Sequence, residues 1–181
     1  MSHQRQIENI ALIGFMGTGK SSVGQLVAAQ LQFHFVDTDE LIQSRAGRTI
    51  QEIFSQAGEQ VFRELEAQVV HELGRAQKTV ISTGGGLAAN AENLASLKAH
   101  ALVVCLWASP DLIWERVRGQ THRPLLHDPD PLGKIRQLLS AREPFYRQAD
   151  VLVNTDQRSV KEVAQHVLHQ FHIARPRPGS P

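Results

Sequence analysis

The run Gly14-Phe15-Met16-Gly17-Thr18-Gly19-Lys20-Ser21 constrains this chain more than any other feature. It fits the pattern G-x-x-x-x-G-K-S/T. It lies between a short apolar run, Asn9 to Ile13, and a stretch from Lys20 to Leu31 that carries Val23, Leu26, Val27 and Leu31 at helical spacing. Strand, glycine loop and helix in that order make a phosphate cradle. Small residues let successive backbone N–H groups curl around anionic oxygens. The first turn of the helix turns its positive end to the same anion. By the pattern, Lys20 reaches the β- and γ-phosphates, and the Ser21 hydroxyl binds Mg2+. A chance match in 181 residues has odds of roughly one in a hundred. The loop predicts a nucleoside triphosphate, and alone it does not choose among kinase, GTPase and ATPase.

Apolar runs and helical patterns alternate along the rest of the chain. Strands are expected at Phe33 to Val36, Thr79 to Ser82, Ala101 to Trp107 and Val151 to Val153. Helices are expected at Glu40 to Arg45, Ile50 to Gly74 with an interruption near Gly58, Leu87 to Lys98, Pro110 to Arg118 with Ser109 as cap, Leu132 to Glu143, and Ser159 to Phe171. This alternation implies an α/β protein of three layers, with a parallel sheet covered on both faces. Ligands of such sheets sit at the carboxyl ends of the strands. Gly119 to Pro131, with three prolines and two histidines, reads as a mobile loop. Residues 1–173 are expected to form one domain, with a lid over about 117–131. Residues 174–181 (ARPRPGSP), without an apolar anchor, are expected to form a disordered tail.

A formal net charge of +1 gives no sign of a nucleic-acid or membrane partner, because binders of polyphosphate backbones carry a large basic excess. No run approaches the roughly 18 apolar residues of a spanning helix, and the N-terminus does not read as a signal peptide. The single cysteine, Cys105, lies in an apolar run and reads as a buried small side chain. A monomer in the cytoplasm is the expectation. His166, His169 and His172 are spaced three apart on the last helix, but no carboxylate or cysteine nearby completes a metal site, so a solvated face is expected.

Two further groups fall at strand ends. Asp37 and Asp39 follow the second strand two residues apart; in an extended segment both would face the phosphate site, one towards Mg2+ through water and one as proton acceptor. The alternative is that one of them caps the next helix. Thr83-Gly84-Gly85-Gly86 follows the third strand, where glycines let a ligand approach the backbone closely or simply make a tight turn.

With these pieces in view, the chain resembles the shikimate kinases from about Asn9 to Phe171. The matching segments are IALIGFMGTGKSSVG, FVDTDELIQSRAGRTIQEIF, GEQVFRELE, VISTGGG, RPLL and REPFYRQAD, in that order. The resemblance implies a P-loop kinase of the nucleoside monophosphate kinase type, with five parallel strands and a lid over ATP. It implies transfer of the ATP γ-phosphate to the 3-hydroxyl of shikimate. Carried over by position, Gly17, Thr18, Gly19, Lys20, Ser21 and Ser22 hold the ATP phosphates, Ser21 binds Mg2+, Asp37 is the Mg2+ carboxylate acting through water, and Asp39 meets the shikimate hydroxyls as the candidate base. Arg63 and Arg142 pair with the shikimate carboxylate, beside Gly84, Gly85 and Gly86. Arg123 is the lid arginine that reaches the transferred phosphate. Arg116 and Arg158 fall where the family contacts adenine. Ser22 replaces a threonine common in the family.

The residue chemistry is compatible with this. Arginine forks match a carboxylate with two parallel hydrogen bonds. Read alone, however, Arg63 fits equally a surface ion pair with Glu59 or Glu66, and Arg142 fits a cation at a helix C-terminus. Two other functions use the same residues: a kinase of another small hydroxy acid such as gluconate, and a nucleotide-sensing module without phosphoryl transfer.

Overall fold

The computed structural model describes residues 5–119 and 128–175. Among these, the strands are β1 (Asn9–Ile13), β2 (His34–Asp37), β3 (Thr79–Ser82), β4 (Ala101–Trp107) and β5 (Val151–Asn154). The helices are α1 (Lys20–Leu31), α2 (Thr38–Ala46), α3 (Ile50–Leu73), α4 (Ala91–His100), α5 (Pro110–Val117), α6 (Pro131–Tyr146) and α7 (Val160–Ala174). The strands form one parallel sheet in the order β2-β3-β1-β4-β5.

Each central strand is apolar on both faces because each face is covered. Ile10 and Leu12 of β1, with Leu102, Val104 and Leu106 of β4, pack with Val23 and Val27 of α1 and Val163, Val167 and Phe171 of α7. The alternate residues, Ala11, Ile13, Val103 and Cys105, pack with Ile53, Val69 and Val70 of α3, Leu94 and Leu97 of α4, Ile113 of α5 and Ile135 and Leu139 of α6. Cys105 is buried, and burial pushes its thiol up to about 12, so it stays protonated and inert.

Boundaries shift where polar side chains cap backbone. The second strand runs one residue further than its apolar pattern, to Asp37, and α2 starts at Thr38 because the Asp37 carboxylate accepts from the N–H groups of Asp39 and Glu40. The stretch expected to be one helix from Leu87 to Lys98 is a 3-10 turn, Leu87–Ala89, and then α4; Asn90 separates them by accepting from Glu92 N and Asn93 N. The expected break near Gly58 is real: Gly58 takes φ 85° and ψ 168° inside α3. The helix α6 continues past Glu143, with Pro144 inside it. The last helix runs on to Ala174, and Arg175 reaches Glu8; the rest of the expected tail lies outside the described residues.

At the opposite edge of the sheet from the glycine loop, Asn9 is fully buried. Its Oδ1 accepts from Thr79 N (2.9 Å) and its Nδ2 donates to Ala76 O (2.7 Å) and to His100 Nδ1 (2.9 Å). His100 must therefore be neutral at Nδ1 to accept. Burial, and then the charge of Arg5, hold its imidazole below the ordinary histidine range. A base with a depressed folded pKa stabilises the fold above its unfolded pKa, and that contribution is lost as pH falls through the folded value. Lowering pH from 7.5 to 5.5 is thus expected to lower Tm by a few degrees, and His100→Gln should flatten that part of the profile in a thermal melt.

Candidate active site

The carboxyl ends of β1, β2 and β3 meet on one edge of the sheet. After β1 the chain turns at Gly14, whose φ of +134° and contact with the Leu106 carbonyl leave no room for a Cβ. Lys20 is buried, and its Nζ donates to Gly14 O and Phe15 O, each at 2.8 Å, so the ammonium lies folded over the loop. Gly19, in left-handed backbone, starts α1 without a side-chain cap, and no acidic residue sits in the first turn. The first N–H groups of the helix are thus not claimed by a capping side chain, as an anion site needs.

Beside this loop, Ser21 Oγ donates to Asp37 Oδ2 at 2.8 Å and lies 3.3 Å from Ser82 Oγ. Asp37 and Asp39 do not share a strand face as an extended segment would require. Asp37 ends β2 and caps α2, while Asp39 lies in the first turn of α2. The two carboxylates therefore serve different places: Asp37 faces Ser21, and Asp39 lies against the glycine loop after β3. A Cβ on Gly84 would stand 2.5 Å from Asp39 Oδ1 and 3.2 Å from Glu66 Oε1.

That loop is the meeting point of α2, α3 and α6. Gly84 N donates to Thr38 Oγ1 (3.0 Å), and Gly85 O accepts from both Arg142 Nη1 (3.1 Å) and Tyr146 Oη (2.7 Å). Arg142 also lies over the Phe15 ring, 5.3 Å from its centroid. Burial lifts the Tyr146 hydroxyl to about 12, so it remains a donor. Arg63 rests on Gly86, where a Cβ would be 2.9 Å from Nη1. Its Nη1 donates to Glu66 Oε2 at 2.6 Å, and its Nη2 and Nε donate to Glu59 Oε1 at 2.9 and 3.3 Å. Both ion pairs anticipated for Arg63 from its sequence are thus formed, and they are formed at the glycine loop.

Glu66, expected from sequence only as a surface partner of Arg63, is the buried centre of this group at 1% exposure. Burial raises its carboxyl above the ordinary range; Arg63 pulls it back down and Asp39 pushes it further up. Burial works against the Arg63 charge too, but the hydrogen bonds and charges of Glu66 and Glu59 win and hold it above its ordinary value. The signal available in sequence was an acid three residues after Arg63, the spacing at which helix side chains meet.

On the other side of the phosphate loop, a cavity of about 240 Å³ is lined by Gly17, Gly19, Ser22, Arg116, Thr155 and Arg158 among others. Arg116 Nη1 donates to Gly17 O (3.0 Å) and Thr155 Oγ1 (3.2 Å), and its Nη2 to Thr155 O (3.3 Å). Both arginines are therefore beside the phosphate loop. Arg123 and most of the expected lid lie outside the described residues.

A glycine cradle with lysine and hydroxyl, in a parallel sheet of this strand order, defines a P-loop nucleotide-binding protein of the kinase type. The family model "Shikimate kinase" matches residues 16–172. The shikimate kinase of Symbiobacterium thermophilum is 45% identical over 166 residues, covering 90% of this chain and 95% of that protein. That of Caldanaerobacter subterraneus is 42% identical over 165 residues, covering 91% and 96%. A structure of the Acinetobacter baumannii enzyme in complex with shikimate superposes with a TM-score of 0.89 at 36% identity, covering 96% of this chain and 97% of that one. The chain belongs to the shikimate kinase family. A gluconokinase from Sinorhizobium meliloti superposes with a TM-score of 0.60 at 18% identity, which shows a shared fold alone.

Gly84→Ala would press a methyl group onto Asp39. Since a short side chain yields more readily than backbone, the expected cost is about 1–2 kcal/mol in urea unfolding. The carboxylate should be displaced, read as a loss of turnover far larger than that cost implies for the folded fraction.

Proposed function

We propose that this protein transfers the γ-phosphate of ATP to the 3-hydroxyl of shikimate, giving shikimate 3-phosphate and ADP. The observation that carries the proposal is the convergence of Arg63, Arg142 and Asp39 on the loop Gly84–Gly86, one loop away from the phosphate cradle. Two guanidiniums beside an acidic acceptor suit an acceptor molecule with one carboxylate and several hydroxyls.

In this reading, Gly17 to Ser22 and the start of α1 hold the ATP phosphates, with Lys20 leaving the Gly14 and Phe15 carbonyls for the β- and γ-phosphate oxygens. The cavity beside Arg116 and Arg158 receives the base and ribose. A Mg2+ ion suits the donors present: the Ser21 hydroxyl, Asp37 through water, and the nucleotide's own oxygens. Magnesium keeps several waters and needs no all-protein cage. When bound, it neutralises developing charge on the phosphates. Arg63 and Arg142 hold the substrate carboxylate, with the backbone of Gly84, Gly85 and Gly86 alongside. The 3-hydroxyl oxygen then forms a bond to the γ-phosphorus as the bond to the β–γ bridging oxygen breaks. The hydroxyl proton passes to Asp39, and ADP leaves. Arg123 is assigned, by its Arg-Pro-Leu-Leu motif, to the charge on the transferring group, and the segment 117–131 to a lid that excludes water. Among the described residues no helix is long and apolar enough to cross a membrane. A monomer working in the cytoplasm completes the proposal.

Purified protein with Mg-ATP should release ADP when shikimate is added, and not with gluconate or without acceptor. Release with gluconate alone would retire the assignment of Arg63 and Arg142. Bound ATP with no release would favour the sensing module. Asp39→Asn should lower kcat by about 10²- to 10⁴-fold while ATP binding survives. Arg63→Ala should raise the shikimate KM by about 10- to 100-fold with a smaller change in kcat, because a carboxylate clamp acts in ground and transition states alike.

A further inference from the structure

Arg63 offers two separate edges, and the protein fills them with two very different carboxylates. The inner edge, Nη1, is held at 2.6 Å by Glu66, which is 1% exposed. The outer edge, Nε and Nη2, is met by one oxygen of Glu59, whose side chain is 64% exposed. The outer edge has the geometry of a carboxylate fork, and Glu59 uses it with a single oxygen at 2.9 and 3.3 Å. A second carboxylate could therefore improve on it.

The backbone explains why Glu59 can leave. Gly58 interrupts α3 with non-helical φ and ψ, so Glu59 opens the second helical stretch. A carboxylate in the first turn of a helix interacts favourably with the helix N-terminus whether or not it touches Arg63. Its pairing with Arg63 is a solvent-exposed i,i+4 contact, of the weak kind. Glu66 has no such freedom, being packed beneath Arg63 and beside Asp39. The substrate carboxylate also cannot share the site with Glu59 in place, because two anions would then compete for one fork next to Asp39 and Glu66.

We infer that Glu59 is an exchangeable stand-in for the substrate carboxylate: it occupies the outer edge of Arg63 in the unliganded protein and is displaced when the acid binds. Glu59 is thus a positioning residue that sets substrate affinity through Arg63. It keeps the guanidinium aimed at the glycine loop at the expense of some affinity. This inference rests on the proposed role of Arg63.

The test compares wild type, Glu59→Gln, Glu59→Ala, Arg63→Ala and the double variant Glu59→Gln/Arg63→Ala, measuring KM for shikimate, KM for ATP and kcat. Removing the competing charge should lower the shikimate KM by about two- to five-fold, the size expected from an exposed ion pair. The ATP KM should stay the same, and kcat should change by less than about two-fold. In the Arg63→Ala background the Glu59 change should have no effect on KM. A shikimate KM that is unchanged or raised in both Glu59 variants, with Arg63→Ala still strongly impaired, would overturn the inference and leave Glu59 as a strut. If Arg63→Ala itself left the shikimate KM unchanged, the assignment of Arg63 to the substrate carboxylate would fail first, and the inference with it.

Discussion

The short loop Gly84–Gly86 is the constraint on which the group of Asp39, Arg63, Glu66 and Arg142 depends. Its backbone is approached so closely that side chains at these positions would collide with Asp39, Glu66 and Arg63. Its polar groups are claimed by Thr38 at the start of α2 and by Arg142 and Tyr146 of α6. The consecutive helices α2 and α3 and the distant α6 thus all pack on one turn after β3. The phosphate loop depends on the same strand pair, because Thr83 N donates to Leu12 O and so ties the end of β3 to β1. The two halves of the site are held in register by sheet hydrogen bonds rather than by long side chains.

Charge organises what geometry brings together. Burial, and then the nearby Asp39 carboxylate, oppose ionisation of Glu66. Arg63 and Arg142 offset this, one from α3 and one from α6. Burying Glu66 has a desolvation cost, and the return is an arginine whose inner edge is fixed while its outer edge stays near solvent. That division is the useful property. A guanidinium bound on both edges by buried partners could not take a ligand, and one bound on neither would sample many rotamers.

The nucleotide side of the site was legible in sequence because it depends on contiguous residues. A strand, a glycine loop and a helix start can be read off fourteen or so neighbouring positions, and the pattern carries its own geometry. The parallel sheet was legible for a related reason: strands covered on both faces, like Ala101–Trp107, read as continuous apolar runs. Capping was less so. Asp37 and Asn90 each end one element and start another through side-chain hydrogen bonds, which moved the starts of α2 and α4 and separated Asp37 from Asp39 in direction. Glu66 was missed for a different reason. A glutamate at helical spacing from an arginine looks like surface charge, and its burial arises only when the loop after β3 packs against it.

The relation to the gluconokinase scaffold follows from this division. What the two structures have in common is the path of the backbone. The group around Gly84–Gly86, to which the proposed function assigns the acceptor, is built instead from side chains of α2, α3 and α6 that meet over glycines. Such a site can be rebuilt for another hydroxy acid by changing a few helix positions without disturbing β1 or the phosphate loop. Under the proposed function, recognition of the acid is to be sought in residues such as Glu59, Arg63, Glu66 and Arg142, where a change in charge leaves the core intact, and not in the strands, where any change alters the core that both halves share.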